Sequence, residues 1–180
     1  MNNNVEIIDD FLPRPEFEEL KNTLTGGGFP WFLHKPMPPD SLEYVIPDDA
    51  TDYNLQFSHI FYSGHAPNGE GFSVIRPLIS KINPLALLRV RGNLKTRTLR
   101  VIETGYHTDF PKEVKCLTGI FYLNTTDGPT KFKTGEVIDS IENRLVLFDS
   151  RLDHTGTTCT NSDIRCVITI NFIPYTEMEN

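Results

Sequence analysis

The sequence is poor in cysteine: three residues, Cys116, Cys159 and Cys166, are spread over 180 positions. They cannot all pair within one chain and none forms a Cys-x-x-Cys unit, so a zinc ribbon or thioredoxin-like redox site loses its main support. Each sits beside apolar or β-branched neighbours, as expected of a reduced thiol used for packing. No apolar run approaches 18 residues, which excludes a membrane-spanning helix. The opening Met1-Asn2-Asn3-Asn4 has neither the basic nor the apolar region of a secretory signal, and a cytoplasmic location is expected. Positive charge is in deficit as well. Seventeen Lys and Arg stand against 24 Asp and Glu, for a formal net charge of −7. Broad capture of a nucleic-acid backbone needs the opposite balance, so nucleic acid is not the expected partner.

What is present is enough apolar material for a packed core. Hydrophobic residues make up 38% of the chain, with 12 Phe and 6 Tyr, which excludes wholesale disorder. The length suits a single domain, residues 1–180. Val5, Ile7 and Ile8 read as a short strand. Pro13-Arg14-Pro15 then opens a helix, with Phe17, Leu20 and Leu24 at helical spacing until Gly26-Gly27-Gly28. Pro36 to Asp52 is proline-rich and acidic and reads as a surface loop. A strand is expected from Tyr53 through Tyr62, a break at Gly64 to Gly69, and a second helix over Val74 to Leu88, interrupted at Pro84.

From Arg89 onward the character changes to short β-rich runs: Thr96 to Glu103, Lys115 to Asn124, Thr130 to Thr134, Arg144 to Asp149, Thr155 to Thr158 and Ile164 to Ile173. Turn residues such as Asp127-Gly128-Pro129 separate them. Many short strands with such turns predict a mainly β sandwich or barrel. The architecture inferred is a double-sheet jelly roll, residues 89–174, with residues 1–88 as a helix-containing support and lid.

One constellation carries chemistry. In Gly105-Tyr106-His107-Thr108-Asp109-Phe110, an extended backbone puts residues i and i+2 on one side, so His107 and Asp109 can reach one metal ion. His-x-Asp alone is too common to mean much. His154, 47 positions after His107, adds a third ligand, and two histidines with one carboxylate and open positions make the facial triad of a non-haem Fe(II) oxygenase. Arg165, 11 residues after His154, interrupts an apolar strand. A buried guanidinium needs an anion, and a co-substrate carboxylate would supply one through paired hydrogen bonds.

At these residues the sequence resembles the Fe(II)- and 2-oxoglutarate-dependent dioxygenases. Tyr122-Leu123-Asn124 followed by Asp127-Gly128-Pro129-Thr130-Lys131-Phe132 is similar to the Tyr-Leu-Asn and Gly-Gly-x-Thr-x-Phe segment of the prolyl 4-hydroxylase-like branch. The resemblance spans Arg89 to Phe172. His154-Thr155-Gly156-Thr157-Thr158 leading into Arg165 resembles small stand-alone members from cyanophages, which would place the protein in a host cytoplasm. The resemblance implies a double-stranded β-helix with iron at one open end, bound by His107, Asp109 and His154. It implies that Arg165 pairs with the C5 carboxylate of 2-oxoglutarate and that Tyr122 hydrogen-bonds the same carboxylate. Fe(II), 2-oxoglutarate and O2 are the implied cofactors, with ascorbate as an accessory reductant. The implied reaction hydroxylates a substrate, such as a prolyl or other peptidyl side chain, and releases succinate and CO2. The chain departs from the pattern in having Arg165 where collagen-type enzymes have Lys, Val167 where many Arg-using members have Ser, and Asp127-Gly128 for Gly-Gly.

Other residues have plainer readings. His59 is expected as a hydrogen-bonded core or pocket-wall residue, and His34 and His65 near loops. Asp153, adjacent to His154, points to the opposite face of its strand. Arg89, Arg91, Lys95, Arg97 and Arg100 read as a solvated strand face, or else as a groove for a charged substrate. Rival functions are a nucleobase oxygenase of the same family and a catalytically silent jelly roll that retains metal and 2-oxoglutarate. Substrate walls are expected in Pro36 to Asp52, Ser63 to Gly71 and Phe110 to Val114.

Overall fold

In the computed structural model, residues 5–34, 55–111 and 113–175 are described. The expected loop from Pro36 to Asp52 lies outside them. Strand β1 (Glu6–Ile8) leads into helix α1 (Arg14–Thr25), which has a proline in its first turn and buries Phe17, Leu20 and Leu24. Each of these side chains stabilises by about 1.5–3 kcal/mol on full burial. Strands β2 (Phe32–His34), β3 (Gln56–Ser63) and β4 (Ala66–Pro67) follow, then the short helices α2 (Gly71–Val74) and α3 (Arg76–Ile82). Seven strands complete the chain: β5 (Pro84–Thr96), β6 (Leu117–Tyr122), β7 (Thr126–Phe132), β8 (Val137–Ser140), β9 (Leu145–Asp149), β10 (His154–Gly156) and β11 (Ile164–Pro174). Among the described residues no helix is long and apolar enough to cross a membrane.

The large sheet has the order β1-β9-β6-β11-β5-β3-β2, with β4 appended to β3, and the small sheet is β10-β7-β8. This is the mainly β, jelly-roll architecture expected from the sequence. Alternation along the strands divides the large sheet into two faces. Cys166, Ile168, Ile170 and Phe172 of β11 join Phe17, Leu20 and Leu24 of α1 in the larger core. Tyr122, Val146, Phe148 and Val167 meet Phe132 and Ile138 in a smaller core between the sheets. The three cysteines are buried and unpaired, as expected.

Three local expectations are corrected. The helix expected over Val74 to Leu88 ends at Ile82, because Asn83 adopts a left-handed conformation (φ 49°) as its C-cap and Pro84 cannot continue the helix. The thirteen-residue β5 therefore begins at Pro84. The strand expected over Thr96 to Glu103 is absent. Beyond Thr96 the chain leaves the sheet, and the Thr98 hydroxyl donates to the Arg100 carbonyl at 2.6 Å, a local bond that competes with strand pairing. Asp127-Gly128-Pro129 is not a turn but an irregularity within β7, where the β8 register breaks between Thr126 and Thr130. Proline is tolerated at such a bulge. Gly128 is required there, because a Cβ would lie 2.2 Å from the Thr158 carbonyl oxygen.

Candidate metal centre

His107 and His154 are brought together by backbone pairing. Each amide donates to the other's carbonyl at 3.0 Å, an isolated antiparallel bridge that places the imidazole centroids 4.7 Å apart. Asp109, two residues on, has Oδ2 3.8 Å from His154 Nε2. Ligating atoms of His107, Asp109 and His154 all lie within 4.8 Å of one another. Asp153 does not belong to this group.

The surroundings orient each of the three. His154 Nδ1 is 3.0 Å from the Leu152 carbonyl oxygen and His107 Nδ1 is 3.3 Å from that of Gly105. A carbonyl can only accept, so both Nδ1 atoms carry the proton and both Nε2 lone pairs are left for a metal. His107 stands at the exposed mouth of the cleft. Loss of hydration around its ring nitrogens, followed by the neighbouring His154, lowers its pKa and favours the neutral imidazole. For Asp109, burial pushes the pKa up, but the neighbouring His154 and Arg89 and hydrogen bonds from Thr118 and Asn171 prevail, so the carboxylate stays ionised below the usual range. Arg89 Nη2 donates to its Oδ1 at 2.9 Å, while Thr118 Oγ1 and Asn171 Nδ2 donate to Oδ2 at 2.8 and 3.1 Å.

A cleft of about 90 Å³ is lined by the three residues, by Lys95, Thr104, Thr130, Gly156 and Arg165, and by the apolar Ile120 and Val167. Arg165 is 3% exposed. Its Nε donates to the Gly128 carbonyl and the Ser140 hydroxyl at 2.7 and 3.0 Å, and its Nη2 donates to Thr130 Oγ1 at 2.9 Å. These acceptors are all neutral. Tyr122 is fully buried under the Arg165 guanidinium, 5.5 Å from ring centroid to carbon, and its hydroxyl donates to Thr130 Oγ1 at 2.7 Å. That hydroxyl is thus engaged by Thr130, one of the residues lining the cleft.

The fold divides the basic cluster between a cleft wall and a solvated surface. On β5, Arg89, Arg91, Asn93 and Lys95 alternate onto the inner face. Arg91 and Lys95 line the cleft, Arg89 pairs with Asp109, and Lys95 is only 5% exposed. Of the five, Arg97 and Arg100 are exposed. The sequence signal for this was the i, i+2 spacing, which marks one face of a strand but not which way it turns. Ser63 to Gly71 and the described part of Phe110 to Val114 do not line the cleft, although Phe110 lies beside Arg89 with its ring centroid 5.2 Å from the guanidinium carbon. His59 is a packing residue on the opposite face, hydrogen-bonded to the Pro30 carbonyl at 2.9 Å and set against Phe29 and Phe61.

No family model and no curated protein matches the chain. Solved structures do match over nearly its whole length. A prolyl hydroxylase from Trichoplax adhaerens, in complex with a hypoxia inducible factor oxygen degradation domain peptide, is 17% identical, with 95% of this chain and 84% of that one covered at TM-score 0.64. The non-heme alpha ketoglutarate dependent epimerase SnoN from nogalamycin biosynthesis is 12% identical, with 97% and 77% covered at TM-score 0.66. HygX from Streptomyces hygroscopicus, with nickel and 2-oxoglutarate bound, is 11% identical, with 96% and 83% covered at TM-score 0.56. At these identities the likeness is one of fold. The chain has the double-stranded β-helix of prolyl hydroxylases and 2-oxoglutarate-dependent oxygenases.

Proposed function

We propose that the protein is an Fe(II)- and 2-oxoglutarate-dependent oxygenase in which His107, Asp109 and His154 hold the metal and Arg165 holds the distal carboxylate of the co-substrate. The observation that carries this reading is the pairing, in one cleft, of a two-histidine, one-carboxylate cluster with a buried guanidinium that no protein carboxylate neutralises among the described residues. The donor set fits Fe(II), since two neutral imidazoles and one carboxylate leave positions open for further ligands. Arg165 fits a dicarboxylic co-substrate, since an uncompensated interior charge is costly unless the ligand brings its counterion.

An Fe(II) ion in this set, with O2 and 2-oxoglutarate, would supply the oxidising chemistry: substrate, O2 and 2-oxoglutarate yield hydroxylated substrate, succinate and CO2. The chain's own residues position and insulate. The Leu152 and Gly105 carbonyls fix the two imidazoles, and Thr118, Asn171 and Arg89 keep Asp109 charged and oriented. Ile120 and Val167 keep part of the wall between the metal cluster and Arg165 apolar, which limits the water that can occupy it. The primary substrate we assign is a prolyl or other peptidyl side chain. The inward turn of Arg91 and Lys95 weakens the case for a nucleic-acid substrate, because it removes cations from the surface stripe that would bind phosphates.

The test is succinate formation from 2-oxoglutarate under air with Fe(II) and ascorbate, alongside thermal stabilisation by 2-oxoglutarate with Mn(II). Turnover together with stabilisation is the expected result. Absence of both would overturn the reading.

A further inference from the structure

Arg165 and Lys95 face one another directly in the β11–β5 ladder, and both line the cleft. Like charges at directly opposed strand positions are destabilising, and here both are buried, at 3% and 5% exposure. Lys95 Nζ donates to Thr104 Oγ1 at 3.0 Å, and the acceptors of Arg165 are a carbonyl and two hydroxyls. No carboxylate pairs with either cation among the described residues. The two charged ends also converge. A Cβ on Gly156 would lie 3.6 Å from both Arg165 Nη1 and Lys95 Nζ. Burial, reinforced by Arg165 and Arg91, pushes the Lys95 pKa well below the usual lysine range, the direction expected of an ammonium with no anionic partner.

We propose that Lys95 and Arg165 form a two-cation clamp on a single carboxylate within the cleft, and that this clamp selects 2-oxo diacids over 2-oxo monoacids. The proposal rests on the function proposed above and adds Lys95 and Gly156 to it. Arg165 Nη1 and the two protons of Lys95 not used by Thr104 are the donors left for the two carboxylate oxygens. Gly156 is the third wall, and its missing side chain leaves the space in which the carboxylate sits.

Binding to the Mn(II)-loaded full chain separates the outcomes. Titration calorimetry would compare 2-oxoglutarate with 2-oxobutyrate, which shares the chelating head and lacks the distal carboxylate. Lys95→Gln is expected to weaken 2-oxoglutarate by about tenfold or more, the scale of a lost charged hydrogen bond, while Mn(II) affinity and 2-oxobutyrate affinity stay within about twofold. Gly156→Ala is the second variant. Its methyl meets only ordinary contacts at 3.6 Å, so the fold tolerates it, and it is expected to weaken 2-oxoglutarate selectively by occupying the clamp. Wild-type affinity for 2-oxoglutarate in both variants overturns the clamp and leaves the proposed function standing. A wild-type protein that binds neither 2-oxo acid overturns both.

Discussion

Asn171 donates from Nδ2 to Asp109 Oδ2 at 3.1 Å and accepts from Arg89 Nε at its own Oδ1, also at 3.1 Å. One fully buried amide therefore fixes both the candidate metal-binding carboxylate and the cation paired with it. Groups that orient metal ligands are worth about 10- to 100-fold in affinity. Asn171→Ala is expected to weaken Mn(II) by that factor, measured calorimetrically, and to lower Tm because Thr118 and Arg89 lose a buried partner.

The proposed metal ligands and the proposed co-substrate anchor have separable signatures. His107→Ala is expected to abolish iron binding. Arg165→Ala is expected to retain iron but weaken 2-oxoglutarate strongly. Equilibrium dialysis with Fe(II) under nitrogen, followed by 2-oxoglutarate titration, reads both. Unchanged 2-oxoglutarate affinity in Arg165→Ala would remove that residue from the site.

Gly128→Ala tests the bulge in β7. The added methyl would meet the Thr158 carbonyl oxygen at 2.2 Å and Arg165 Cδ at 3.0 Å, and the first contact cannot yield without moving backbone. Overpacking of this kind costs about 1–3 kcal/mol. Urea unfolding should place the variant at the upper end of that range.

Acid should loosen the attachment of α1. Lys21, by its hydrogen bond, and Arg14 hold the Glu142 pKa below its ordinary 4.5. A lowered folded-state pKa gives stability that is present above the unfolded value and is lost as pH falls through the folded value. The stability gap between wild type and Glu142→Gln, measured by urea unfolding, should therefore be constant near neutrality and close below about pH 4.5. A gap that persisted unchanged to pH 2 would contradict this.

The thiols should be inert in the native protein. Cys116, Cys159 and Cys166 are buried, and burial pushes the Cys166 thiol up to about 12, leaving almost no thiolate at neutral pH. A chromogenic disulfide reagent at pH 8 is expected to titrate none of them rapidly in the folded chain and all three in guanidinium chloride.

The parts of the site readable from sequence were those set by strand geometry over short distances. His107 and Asp109 could be placed on one side from i, i+2 spacing, and Arg165 stood out as a charge in an apolar run. Lys95 was hidden because its meaning depends on lying opposite Arg165, 70 positions away, and non-local register leaves no trace in a single sequence. The same limit explains β8, four residues of alternating burial that pair only with β7. Asn83 and Pro84 did carry the signal that ends α3, but the apolar residues Leu85, Leu87 and Leu88 continued the helical spacing beyond it. The basic cluster could be read either as a solvated face or as a groove, since spacing fixes which residues share a face and burial alone decides whether that face meets water.

The candidate metal-binding cluster also straddles the two sheets. His154 belongs to β10 of the small sheet, whereas Asp109 is tethered through Thr118 and Asn171 to β6 and β11 of the large one. Any ion bridging them would rivet one layer to the other. By mass action the cohesion of the sandwich would then track metal supply, and hydrogen exchange in β7, β8 and β10 would slow as metal is added while the helical side, packed around α1, stayed unchanged.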